Sequence, residues 1–219
     1  MLPNIDRAVY AIFKTDPKKS GYRKAIFRKM PVESVSEIVQ LGYLDVCRTL
    51  TGIGKDPEQS TPFKQSVVAF INDLLINLPT NQSEFDMCHH RCCQQCIESV
   101  GVARIHYGQG QKLINMSLKY LYNEFAFYRG RMNRFGYPNT NIEYFFHLPI
   151  DNQILTYLVK NCGFSKPPHL PWSKWTYEHY IAFQTELRNR LTHDYKPLEI
   201  DYMLWNEAKQ SIDHAIRPA

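Results

Sequence analysis

Apolar residues recur at intervals of three and four along most of the chain, which is the spacing of one face of an α-helix. No convincing run shows the strict alternation of apolar and polar residues that marks a half-buried β-strand. The pattern therefore predicts an all-α protein. Its helices are predicted over residues 3–13, 31–51, 61–78, 80–100, 111–128, 151–161, 176–191 and 198–216.

Residues suited to helix N-termini stand at several of these boundaries. Proline is tolerated in the first turn of a helix, so Pro31 and Pro62 indicate two helix starts. Ser83, Asp151 and Thr176 have side-chain oxygens that can accept hydrogen bonds from the free N–H groups of a first turn. We therefore expect each of these three residues to cap the helix that follows it.

A pair of glycines, Gly108 and Gly110, lies directly before a strongly helical apolar pattern, with Gln109 between them. Glycine can adopt positive φ and allows another backbone to come close. The free N–H groups at the start of the new helix would then point out of the turn, where they suit a phosphate. The sequence predicts a phosphate-binding turn here.

The sequence Gly-x-Gly-x-Lys-x-x-Asn, which runs from Gly108 to Asn115, resembles the second half of the helix-hairpin-helix in DNA glycosylases of the endonuclease III and 8-oxoguanine glycosylase superfamily. The resemblance implies that the hairpin glycines hold a DNA phosphate and that Lys112 is the nucleophile of a bifunctional enzyme. That family also has an aspartate on a turn entering a helix, and Asp151 in His147-Leu-Pro-Ile-Asp151 fits this position.

Lys112 and Asp151 together suit cleavage of the bond between a base and its sugar. Breaking this bond builds positive charge on the deoxyribose, which a nearby carboxylate stabilises. A lysine amine can attack the sugar carbon and form a Schiff base. In the alternative interpretation, Lys112 binds a phosphate as a charged ligand and Asp151 only caps its helix.

The C-terminal sequence from Pro197 to Trp205 resembles the closing helix of archaeal-type 8-oxoguanine glycosylases, which has a Pro-Leu, an Asp and a Trp in similar order. This resemblance implies that Asp201 and Trp205 contact an extruded base. Trp172 and Trp175 are further candidates for stacking on that base. The alternatives are core packing for the tryptophans and a surface position for Asp201.

Basic residues follow the glycine pair and predict a DNA-binding strip. Lys119, Arg129, Arg131 and Arg134 are interleaved with aromatic residues, and with the helix N-terminus they would neutralise several phosphates. The alternative is an ordinary solvated helix face. The formal net charge of +5 permits a polyanionic partner without requiring one.

Composition points to a folded protein without a metal. The 219 residues are 44% hydrophobic, which is enough for a core, and we expect neither a secretory signal nor a membrane span, so we predict a cytoplasmic location. The six cysteines are then expected as reduced thiols. The cluster Cys88–Cys96 has thiols and imidazoles that could hold zinc, but no second C-x-x-C pair exists. We predict no metal and no cofactor.

These observations favour an all-α, helix-hairpin-helix glycosylase-like fold. We expect one helical domain over residues 1–219, either undivided or in two lobes of about 30–100 and 101–219 around a cleft, with a basic N-terminal segment. The predicted function is a monomeric DNA glycosylase that removes a modified or damaged base, with or without lyase activity. The alternatives are a non-catalytic helix-hairpin-helix protein that binds nucleic acid and a helical interaction protein.

Overall fold

A computed structural model of the chain describes residues 32, 34–50, 53–54, 56–101, 105–127, 142–165, 170–191 and 195–216, and these contain helices and connecting turns without a β-strand. The predicted all-α class is confirmed for this part of the chain. None of these helices combines the length and the apolar composition needed to span a bilayer. The α-helices are α1 (Val35–Val46), α2 (Pro57–Ile76), α3 (Gln82–Val100), α4 (Tyr107–Phe127), α5 (Asn152–Asn161), α6 (Tyr177–Leu191) and α7 (Pro197–Ile216).

Side-chain caps determine where several of these helices begin. Ser34 caps α1 by accepting the N–H of Glu37, so this helix starts later than the predicted Pro31. Asp56 caps α2, and the helix starts at Pro57 with Pro62 inside it, earlier than predicted. Asp151 caps α5 as expected.

The cap of α3 differs from the predicted one. Asn81, and not Ser83, accepts the N–H of Glu84, while the Glu84 carboxylate accepts the N–H of Thr80. This reciprocal pair satisfies two free donors at once, as in a capping box. The predicted helix at 3–13 and the basic N-terminal segment lie outside the described residues.

Helix α4 is the centre of the bundle. Every residue from Tyr107 to Tyr122 is buried, and α4 packs against α1, α2, α3, α6 and the 3₁₀ turn Trp172–Lys174. A helix buried on all sides is usually apolar all round. This one also carries six buried polar or charged side chains: Gln109, Gln111, Lys112, Asn115, Ser117 and Lys119. Each of them therefore needs a partner inside the protein.

The two glycines of the predicted hairpin lie inside the first turn of α4. Neither has positive φ; in the described ranges, positive φ occurs at Gly101 and Gly163. The N–H of Gly108 donates to the carbonyl of Trp175 at 3.2 Å and so is not free for a phosphate. The prediction of a phosphate-binding turn was wrong here, since the missing Cβ serves helix packing.

Gly108 allows the chain at Trp172 to lie directly on α4. A Cβ added at Gly108 would stand 2.0 Å from the Trp172 carbonyl oxygen, which is a backbone atom with little freedom to move. A Cβ at Gly110 would meet nothing closer than the Cys93 carbonyl oxygen at 3.6 Å. The two glycines are therefore not equivalent, although the sequence motif treats them alike.

We predict that Gly108→Ala destabilises the protein by about 1–3 kcal/mol, because the new methyl group forces the Trp172 backbone away from α4. Gly110→Ala is the matched control. It fits without a close contact and replaces a helical glycine, so its stability should stay equal or rise by up to about 1 kcal/mol. Chemical denaturation of both variants measures the difference. Equal effects of the two substitutions would contradict this packing arrangement.

Candidate active site

A cavity of about 370 Å³ opens beside α4. Its walls come from the C-terminal end of α1, from α4, from the start of α5, from the Trp172 turn and from α7. The charged residues that line it are Asp45, Arg48, Lys112, Lys119, Asp151 and Asp201. Three carboxylates and three cations therefore share one cavity.

The structure brings Lys112 and Asp151 together at this cavity. Lys112 Nζ lies 3.3 Å from Asp151 Oδ2, although the residues are 39 positions apart in the chain. The Lys112 side chain is only 8% exposed, and that of Asp151 is 29% exposed. The ion pair is thus largely shielded from bulk water, and one of its members still faces the opening.

The two oxygens of the Asp151 carboxylate have different hydrogen-bond partners. Oδ1 accepts the N–H groups of Gln153 and Ile154, both at 2.9 Å, while Oδ2 faces Lys112. Burial acts to raise the pKa of Asp151, but the Lys112 ammonium and the N–H of Ile154 outweigh it, so the pKa lies below the usual 3.8. Asp151 is therefore a carboxylate at neutral pH, and capping does not exclude its contact with Lys112.

A second lysine–aspartate pair lies on the same face of α4. Lys119 follows Lys112 by seven residues, or two helical turns, and its Nζ forms an ion pair with Asp201 Oδ2. Burial acts to lower the pKa of Lys119, but Asp201 and Tyr202 outweigh it, so that pKa lies above the usual 10.5. Lys119 is 3% exposed, which corrects its predicted place in a surface strip for DNA.

The other residues of the predicted phosphate-binding turn are buried as well. Gln109 accepts the N–H of His106 at 2.8 Å and donates to the Thr49 carbonyl, so it fixes the start of α4 against the 3₁₀ turn that follows α1. Gly108 and Gly110 contact the protein interior. These three residues are structural in this part of the chain. Arg129, Arg131 and Arg134 lie outside the described residues.

Three of the four predicted base-pocket residues line the cavity: Trp172, Asp201 and Trp205. The Trp172 ring centroid lies 5.9 Å from Lys112 Nζ, which places an aromatic wall beside the amine. Trp175 does not line the cavity. It is 1% exposed, packs edge-on against Phe183 and donates from Nε1 to the Leu170 carbonyl, so the core alternative holds for this residue.

Sequence reasoning missed Asp45, Arg48 and Thr49, which come from the end of α1 and the 3₁₀ turn Cys47–Thr49. Asp45 accepts a hydrogen bond from the Tyr120 hydroxyl at 2.8 Å. No local motif marks these residues, because their place depends on how α1 packs across α4. At that crossing Gly42 of α1 lies directly against Ser117 of α4.

A buried polar network includes Asn115 of α4, which lies about one turn from Lys112. Asn115 pairs with His89 Nε2 at 2.9 Å and donates to the Tyr180 oxygen at 2.8 Å. Tyr180 pairs with His147 Nδ1 at 2.7 Å, and His147 Nε2 pairs with Asp86 Oδ1 at 2.7 Å. Each of these four hydrogen bonds has one donor and one acceptor when both histidines are neutral.

The electrostatics agree with neutral histidines. Burial lowers the pKa of His89 well below the usual 6.5, and the neighbouring His147 lowers it further. Burial also lowers the pKa of His147, against the opposing effect of Asp86. Protonating either ring would place a charge in the core and remove an acceptor from the network.

The cysteine cluster on α3 contributes to this core. Cys93 Sγ lies 3.7 Å from His89 Nδ1, while the thiols of Cys92 and Cys96 lie 3.8 Å from carbonyl oxygens of α2. Burial raises the pKa of Cys92 and of Cys93 well above the usual 9.0. Within the described ranges, no three His, Cys, Asp or Glu side chains are grouped as metal ligands are.

The free energy of unfolding is predicted to fall as the pH drops below about 6.5. The unfolded chain binds protons on His89 and His147 there, whereas the native state resists them until the pH reaches its lowered pKa values. Each histidine contributes at most about 1.4 kcal/mol per pH unit. Denaturation between pH 5 and 7.5 measures the slope.

His89→Gln should reduce this slope, since the amide does not titrate. The control is His106→Gln, because His106 is exposed and outside the network. A wild-type stability that stays flat between pH 5 and 7 would show that the buried histidines do not resist protonation.

Comparison of the chain with protein-family models, with curated proteins and with solved structures found no match. The residues of the site therefore carry the functional argument alone.

Proposed function

We propose that this chain is a DNA glycosylase that extrudes a modified or damaged base into the cavity and cleaves its N-glycosidic bond, with lyase chemistry at Lys112. The proposal includes a helix-hairpin-helix glycosylase-like architecture with two helical lobes around the cavity. The observation that carries it is the Lys112–Asp151 pair, with Nζ and Oδ2 3.3 Å apart on the wall of a cavity.

Asp151 would stabilise the sugar as its bond to the base breaks. Positive charge then develops on the deoxyribose ring, and a fixed carboxylate nearby lowers the energy of that state. The two backbone N–H groups that bind Oδ1 hold the carboxylate in place before the reaction. Its lowered pKa keeps it charged at neutral pH.

Lys112 would supply the nucleophile. Its ammonium first loses a proton to solvent, so that Asp151 stays a charged carboxylate, and the free amine then attacks C1′ of the sugar while the bond from C1′ to the base nitrogen breaks. The bonding electrons leave with the base, which takes up a proton. The bond from C1′ to O4′ then breaks while the proton on the Lys112 nitrogen passes to O4′, which opens the sugar ring and gives an imine between Lys112 and C1′, from which lyase chemistry proceeds.

The shape of the cavity suits an extruded base. Its volume of about 370 Å³ falls within the range of ~300–1,000 Å³ that small-ligand sites occupy. Trp172 and Trp205 provide aromatic surface, on which flipped bases commonly stack. Because the Lys112 amine faces this cavity and is almost fully buried, it is poorly placed to act only as a ligand for a surface phosphate.

We predict that Asp151→Asn lowers base release by at least about 100-fold, because the amide keeps a capping oxygen and loses the charge that stabilises the sugar cation. The melting temperature should fall as well, because the buried Lys112 ammonium loses its charged partner, so release is compared at a temperature at which both proteins are folded. Single-turnover assays on a panel of modified-base duplexes, with thermal melts, measure both effects.

Asp56→Asn is the matched control for this experiment. Asp56 caps α2 through the N–H groups of Glu58 and Gln59, in the same way that Asp151 caps α5, and it does not line the cavity. It should leave base release unchanged. Full activity of Asp151→Asn on an established substrate would remove Asp151 from the mechanism.

Lys112 should form a covalent crosslink that borohydride makes permanent, because only an imine with the sugar carbon is reduced in this way. We expect trapping on abasic or substrate DNA with the wild type and none with Lys112→Gln. Lys112→Arg keeps the positive charge and should bind DNA without trapping. Lys160→Gln, an exposed lysine on α5, is the control and should trap normally.

The outcomes separate the proposed enzyme from its alternative, a non-catalytic protein that binds nucleic acid. Base release without trapping would make the enzyme monofunctional, with Lys112 as a charged ligand. Salt-dependent DNA binding without release or trapping would favour the binding protein. Absence of all three would contradict both.

A further inference from the structure

Asp45 is a carboxylate that lines the cavity and has no role in the proposed mechanism. It lies in the last turn of α1, is partly buried, and lines the same cavity as the lysine-bearing face of α4. Both lysines of that face, Lys112 and Lys119, interact with its charge at longer range. Asp45 therefore belongs to the same electrostatic environment as the catalytic pair.

Asp45 differs from the two other carboxylates of the cavity in its partners. Asp151 and Asp201 each form an ion pair with a lysine. Asp45 Oδ2 accepts the hydroxyl of Tyr120, and within the described part of the chain no cation lies at ion-pair distance from it. A carboxylate accepts about four hydrogen bonds, so Asp45 retains acceptor capacity beside the cavity.

This arrangement lowers the stability of the protein at neutral pH. Burial raises the pKa of Asp45, and the Tyr120 hydroxyl and the nearby cations offset this effect only in part. A carboxyl whose pKa is raised by folding is more costly to ionise in the native state than in the unfolded chain. Asparagine would serve Tyr120 equally well without that penalty, and such unfavourable charges in clefts are often functional.

We propose that Asp45 is a specificity-determining residue, whose carboxylate accepts a hydrogen bond from an N–H group on the edge of the base extruded into the cavity. This inference rests on the proposed glycosylase function. The aromatic walls contact the faces of a base and cannot distinguish its edges. A partly buried acceptor does so, because a base without the matching N–H leaves the remaining acceptor sites of the carboxylate without a partner. The cavity is thus expected to take bases with an N–H donor on that edge.

Asp45→Asn tests this proposal. The amide keeps one oxygen for Tyr120 and replaces the other with an NH₂ donor, so the local structure is retained while the base-facing acceptor is lost. We expect kcat/KM for release of the preferred base to fall by about 10–100-fold. Borohydride trapping on abasic DNA should stay within about twofold of wild type, because no base is present to be recognised.

Two further variants and a melt complete the experiment. Asp73→Asn makes the same chemical change on the exposed side of α2, where Asp73 pairs with Asn77, and should alter neither readout. Tyr120→Phe keeps the carboxylate and removes its structural partner, so it should reduce release less than Asp45→Asn does. The melting temperature of Asp45→Asn should not fall below that of the wild type.

Each outcome has one meaning for Asp45. Unchanged base release in Asp45→Asn overturns the inference, and so does an equal loss of release and trapping, which would indicate an effect on Lys112. A wild type that traps abasic DNA and releases no base also overturns it. A wild type that does neither shows instead that the proposed glycosylase function is wrong.

Discussion

The burial of α4 from Tyr107 to Tyr122 is the constraint on which the rest of the structure depends. A lysine ammonium in a protein interior is strongly unfavourable unless a carboxylate pairs with it. Lys112 and Lys119 therefore each require an aspartate from another element, and Asp151 and Asp201 supply them from the start of α5 and from α7. The positions of α5 and α7 against α4 are thus tied to two ion pairs, and the cavity lies where these pairs meet.

The glycine that the motif assigned to a phosphate helps to build this site in another way. Without a Cβ at Gly108, the Trp172 carbonyl can lie against α4, and the indole ring then faces Lys112. Packing glycines and turn glycines look the same in a sequence, since both only lack a side chain. The sequence alone therefore could not show that these glycines serve packing. Lys112 and Trp172, which lie near Gly108, do line the cavity.

Periodicity predicted the helices well, and capping chemistry placed Asp151 correctly. The Lys112–Asp151 pair could be predicted only through a family resemblance, because no local rule joins residues 39 positions apart. Lys119 was misplaced because lysine is normally exposed. Asp45 was missed because it reaches the cavity through the packing of α1 on α4, which involves residues scattered over two helices.

The two buried lysines fix the number of residues that can lie between them on α4. Seven residues span two turns, about 10.5 Å along the axis, and return to nearly the same face. Removing or adding a single residue between Lys112 and Lys119 would rotate one of them by about 100° relative to the other. One ammonium would then face the core with no carboxylate to meet it. The length of this segment is therefore constrained in addition to the identity of the residues within it.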